Sequence, residues 1–213
     1  MKLLTSCLLP ILAISSLAPA QSNIDSINKF SWSENCGWMN WRDAGSPAGT
    51  AGVMLAGTYA SGAVWCENIG WVRLGTTPAN GTSFSNLSAA DFGVNILPNQ
   101  LLGGFAWSEN TGWINFGPFS SLPANQQARL SSGRLWGYAW GENIGWINMN
   151  DSTRFVGLHC RADFNQDGVV DFFDYLDFVD AFSAAHPSSD FNSDTVIDFF
   201  DYLDFVDAFS AGC

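Results

Sequence analysis

Basic residues are scarce in this chain, and beyond Arg161 there are none. Eight Lys and Arg stand against twenty Asp and Glu, a formal net charge of −12. Without a basic stripe to neutralise phosphates, nucleic acid is excluded as a partner. Histidine is limited to His159 and His186, which lie near the start of the acidic tail and within it, and no Ser-His-Asp or Cys-His set forms around either. Glutamate is limited to Glu34, Glu67, Glu109 and Glu142. A glycosidase needs two carboxylates roughly 5–10 Å apart across one bond. These four occupy equivalent positions of a repeat, whereas a single reaction centre usually breaks symmetry, so a non-catalytic protein is expected. After residue 20 no apolar run approaches the roughly 18 residues of a membrane span.

What is present begins with an export signal. Lys2, an apolar stretch to Leu17 and the A-x-A site Ala18-Pro19-Ala20 predict a signal peptide over residues 1–20. The mature chain is therefore expected to be secreted or at the cell surface. Without Cys7, four cysteines remain, an even set suited to an oxidising compartment. Proximity in repeat register favours the disulfides Cys36–Cys66 and Cys160–Cys213, with a processing or attachment role for Cys213 as the alternative. The four are too scattered for zinc.

Eight of the ten Trp belong to one motif, W-x-E-N-x-G-W, at 32–38, 65–71, 107–113 and 140–146. Its starts are 33, 42 and 33 residues apart. Each copy reads as strand, tight turn, strand, with Gly at the position that tolerates positive φ, as in a type I turn closed by a G1 bulge. Phe92–Leu97 and Leu101–Trp107 read as a further hairpin around Pro98-Asn99-Gln100. Residues 21–158 are expected to form an all-β domain of about ten short strands: a sandwich, a barrel or a short repeat stack. Two roles are open for the Trp. They pack across each hairpin and fill the core, with Glu bonding turn amides, or they stand exposed as platforms for a polysaccharide.

Residues 159–213 differ sharply, with twelve aspartates from Asp163 onward. The segment DFFDYLDFVDAFSA occurs twice without change, at 171–184 and 198–211. Each copy completes a run spaced like a calcium loop of about 12 residues, with side-chain oxygens at positions 1, 3, 5, 9 and 12 and a carbonyl at 7. In the first loop these are Asp163, Asn165, Asp167, Asp171 and Asp174, with Val169 at the carbonyl position. In the second they are Asp190, Asn192, Asp194, Asp198 and Asp201, with Val196. Position 6 is Gly168 in the first loop and Thr195 in the second, so the second of two Ca²⁺ sites is expected to be weaker. A helix should follow each loop, with Phe172, Leu176, Val179 and Phe182 on its apolar stripe.

On these residues the C-terminal quarter resembles a type I dockerin: two F-hand calcium loops, each followed by a helix. Cys160 and the closing Gly212-Cys213 resemble more specifically the GC-type dockerin. The Trp motifs resemble repeats of exported bacterial proteins of unknown function. The dockerin resemblance implies calcium-dependent docking onto a cohesin-like or other cell-surface protein. It also implies that Phe172, Phe173, Phe199 and Phe200, just before the last ligand of each loop, select the partner. The expected protein is secreted, non-catalytic and docked outside the cell. The alternative is an accessory protein that binds carbohydrate or assists polysaccharide degradation through exposed Trp, and a glycoside hydrolase is the remote third reading.

Overall fold

The structure is a computed structural model that describes residues 22–44, 52–192 and 194–212. The expected signal peptide (1–20) and Cys213, hence the Cys160–Cys213 pairing, lie outside the described residues. These form thirteen strands and two α-helices.

The four Trp motifs are four hairpins: Ile24–Ser33 with Gly37–Asn40, Tyr59–Cys66 with Gly70–Gly75, Leu102–Ser108 with Gly112–Asn115, and Tyr138–Gly141 with Gly145–Asn148. Their turns take the expected form. The motif Gly has a left-handed φ in all four copies, 73°, 78°, 80° and 74° at Gly37, Gly70, Gly112 and Gly145, a region that charges L-residues a steric penalty. Each hairpin pairs antiparallel with the next. The ring closes where Trp32 and Ser33 pair with Asn148 and Ile147. The repeat therefore makes an eight-stranded barrel, one of the three expected architectures.

Period-2 alternation decides what fills the barrel. The residue after the first Trp of each motif points inward: Ser33, Cys66, Ser108 and Gly141 are all buried. So does the residue after the second: Met39, Val72, Ile114 and Ile147 are at most 1 % exposed. Ser31, Val64, Ala106 and Ala139 form a third buried layer. An eight-stranded barrel has an interior just wide enough for side chains, and these small and medium residues fit it. The motif Trp therefore stand on the opposite, outer face. They do not fill the barrel core, which corrects the packing expectation. Among the described residues the only fully buried Trp is Trp41, outside the motif, whose Nε1 donates to Ser31 Oγ at 2.9 Å.

The motif Asn has a role that sequence reading missed. Asn35 donates its Nδ2 to the Ile144 carbonyl of the fourth hairpin, Asn143 to Thr111 of the third, and Asn110 to Ile69 of the second. At the remaining junction the Asn68 backbone N–H donates to the Cys36 carbonyl at 3.2 Å. The turns thus bond to one another in a closed ring around one mouth of the barrel. Glu does not bond the amides of its own turn. Only Glu67 accepts a turn-region amide among the described residues, that of Trp38 on the neighbouring hairpin.

The 42-residue interval between the second and third motifs holds the extra chain. It supplies the strand Val94–Ile96, paired with both Tyr59–Cys66 and Leu102–Ser108, and a loop over 76–93 on the barrel's outer side. The hairpin Arg129–Ser131 and Arg134–Trp136 pairs with Val156–Leu158, which in turn pairs with Ile24–Ser33. His159 then donates its backbone N–H to Asn23.

The helices are α1 (Phe172–Ser183) and α2 (Phe199–Ala211). Identical positions of the two copies meet: Phe178 and Phe205 stack at 3.9 Å with ring planes 3° apart, and the Tyr175 and Tyr202 hydroxyls are 3.2 Å apart. Contact between equivalent residues is the mark of a local two-fold axis. The buried stripe is centred on Phe178 and Phe205, with Tyr175, Val179 and Phe182 against them. Phe172 and Leu176, expected on that stripe, are exposed. At about 100° per residue these two lie roughly 120° and 160° from Phe178, off the buried stripe.

Candidate functional site

The two acidic loops share one hydrogen-bond scheme. Asp163 accepts from the N–H groups of Asp167 and Gly168, and Asn165 from Asp167. In the second loop Asp190 accepts from Asp194 and Thr195, and Asn192 from Asp194. Asp167 and Asp194 accept from Val169 and Val196. The last ligand position is fully buried in both: Asp174 accepts from Asn165 and Asp171, and Asp201 from Phe191, Asn192 and Asp198. Asp171 and Asp198 cap α1 and α2 in reciprocal capping boxes with Asp174 and Asp201. Burial opposes ionisation of Asp201, but the amides of Asp198, Asn192 and Phe191 outweigh it and hold its carboxyl below the ordinary carboxylate range.

The loop backbone turns at position 6, where Gly168 has φ 91° and Thr195 φ 75°. Thr195 therefore occupies the left-handed region that sequence reading assigned to the turn. The first loop also leans on the barrel, since a Cβ at Gly168 would lie 3.0 Å from Ile27 Cδ1.

The donor set of each loop, oxygen atoms only and mostly carboxylate, suits a hard cation such as Ca²⁺. Among the described residues no three His, Cys, Asp or Glu side chains converge on one point; the carboxylates are engaged by loop amides.

Each helix start presents an apolar patch. Phe172, Phe173, Phe199 and Phe200 are all 64–65 % exposed, beside exposed Val169, Leu176, Val196 and Leu203. The exposures match between copies because the two-fold relation gives both the same surroundings.

On the barrel wall the two Trp of each motif face one another across the hairpin (Trp32 and Trp38, Trp65 and Trp71, Trp107 and Trp113, Trp140 and Trp146). Their centroids lie 4.7–5.1 Å apart, edge to face. Such a pair contributes about 0.5–1.5 kcal/mol beyond its buried area. Six of the eight remain exposed by 36 % or more. The four Glu sit on exposed turns, and Glu109 reaches Arg73 at 3.9 Å.

The expected Cys36–Cys66 disulfide is not formed: both are free, fully buried thiols. They touch because the Cys36 carbonyl takes the Asn68 amide and Cys66 pairs in register with Met39. The contact is a hydrogen bond between thiols. That bond lowers the pKa of Cys36, whereas on Cys66 it acts with burial to push the thiol far up.

No helix among the described residues is long and apolar enough to cross a membrane. No protein-family model matches the chain, nor does any curated protein or solved structure.

Proposed function

We propose that this chain is a secreted, non-catalytic repeat protein held outside the cell by its C-terminal module. The module takes up two calcium ions and docks onto a cohesin-like or other cell-surface protein. The observation that carries the reading is the duplicated loop. Two oxygen-donor loops with the same amide scheme each end in a helix start that exposes two Phe. Asp163, Asn165, Asp167, Asp171 and Asp174 would hold one ion and Asp190, Asn192, Asp194, Asp198 and Asp201 the other, and each ion's charge would offset the carboxylates' repulsion and order the loop beneath each Phe pair. At about a hundredfold excess over Kd, each ion adds about 2.7 kcal/mol of apparent stability.

The test is capture of one extracellular partner by the full chain in calcium and not in EDTA, with loss of capture by the double variant Phe173→Ala and Phe200→Ala. Calorimetry that registers no calcium heat ends the reading.

A second reading is favoured by a separate observation, the outward Trp wall. The barrel is a carbohydrate-binding module, so that the C-terminal module anchors a glycan binder. Quenching or a shift of Trp emission across a polysaccharide panel supports it, and an unchanged spectrum removes it.

A further inference from the structure

The four hairpins are near-equivalent, but their surroundings are not. The loop over 76–93 breaks the symmetry and walls two clefts on the barrel's outer side, with Phe92 lining both. One, of about 770 Å³, contains Trp71 and the guanidinium-bearing Arg42 and Arg73. The other, of about 800 Å³, lies between the third and fourth hairpins. Trp107, Trp113, Trp140 and Phe105 line it, and Asn86 to Ala89 close one side. Both volumes lie within the usual range of small-molecule sites.

Three polar side chains of the second cleft keep unused hydrogen-bonding capacity. Asn143 spends its Nδ2 on the Thr111 carbonyl, which leaves Oδ1 without a partner among the described residues. Asn115 spends Oδ1 on the Gly117 amide, which leaves Nδ2 to donate. Glu142 is exposed and has no hydrogen-bond or ion-pair partner among the described residues. It is also the only charged residue in the lining, which contains no Lys, Arg or His.

We infer that the cleft between the third and fourth hairpins binds a neutral saccharide chain, a deepening that rests on the carbohydrate reading of the barrel. A pyranose carries C–H groups on its faces and hydroxyls around its rim. Trp113, 42 % exposed, and Trp140, 36 % exposed, offer apolar surface to the faces. Asn143 Oδ1 and the Glu142 carboxylate accept from hydroxyls, while Asn115 Nδ2 donates to them. A carboxylate without a compensating cation repels anionic sugars, so uronates are disfavoured. The arginine-bearing cleft across the loop has the opposite electrostatic character.

The experiment is calorimetry and Trp fluorescence on the full chain with cellohexaose, mannohexaose and hexagalacturonate. A neutral hexasaccharide is expected to bind and hexagalacturonate at least tenfold more weakly. Trp140→Ala is expected to weaken binding about tenfold. Asn115→Asp keeps the acceptor for Gly117, replaces the free donor with a charged acceptor, and should weaken binding severalfold with the melting curve unchanged. Trp71→Ala, in the other cleft, should leave it intact. Loss of binding in Trp71→Ala with retention in Trp140→Ala and Asn115→Asp overturns this cleft while sparing the carbohydrate reading. No binding of any of the three oligosaccharides ends both, and equal binding of hexagalacturonate overturns the neutral class.

Discussion

Thr195→Gly separates the two acidic loops most directly. Thr195 sits at φ 75°, where a β-branched residue pays roughly 1–2 kcal/mol. Its side chain is exposed, with no hydrogen-bond partner among the described residues, while its N–H donates to Asp190 Oδ2 at 2.9 Å. Glycine keeps that amide bond and removes the steric cost. Against this, glycine gives the unfolded chain more freedom, roughly 0.4–1 kcal/mol. The net gain is about 1 kcal/mol, a factor of about 5 in affinity for an ion whose binding orders the loop. Calcium titration by calorimetry should resolve two sites in the parent chain, and Thr195→Gly should tighten the weaker by about that factor. The converse change, Gly168→Ala, meets both the φ of 91° and Ile27 Cδ1 at 3.0 Å, and should weaken the first site alone. Two equal sites in the parent, or a Thr195→Gly titration that overlays it, would refute the strain argument.

Other outcomes follow from the barrel and the junction. Asn110→Ala removes the bond to the Ile69 carbonyl and should cost about 1 kcal/mol in denaturant stability; an unchanged midpoint would mean that the ring of turns adds nothing. Cys66 is held protonated and Cys36 is buried with it, so neither should react with iodoacetamide at pH 8 until denaturant is added; native-state labelling of either, read by peptide mass, would contradict the packing. Burial, reinforced by Arg42, depresses His159 below its ordinary 6.5. The unfolded chain therefore binds this proton first, so His159's contribution is full above pH 6.5 and is lost as pH falls below it. His159→Gln should flatten that acid-side slope, and superimposable stability curves between about pH 5 and 7 would exclude the effect.

The features legible beforehand are those whose causes lie within a few residues. A Gly at the end of E-N-x-G has to adopt positive φ, and the four turns obey. The hairpin around Pro98-Asn99-Gln100 follows from the same local chemistry, as does the helix after each acidic loop. The left-handed strain at Thr195 was foreseeable because the loop spacing assigns it a turn position. Phe172 and Leu176 were misplaced because the helix carries apolar residues at several angles, and only packing against the other helix chose the stripe centred on Phe178.

The sequence by itself determined four equivalent hairpins, two equivalent acidic loops and the division between them, because duplication and turn chemistry are local properties. Only the tertiary structure decided that Ile24–Ser33 meets Gly145–Asn148 to close a ring, and that closure settles which face is inside. Both faces of each hairpin carry apolar residues, so alternation alone leaves the direction open. Once eight strands close, the lumen admits Ser, Ala, Gly, Val and Ile but not eight indoles, and the Trp are left outside, where a ligand can reach them.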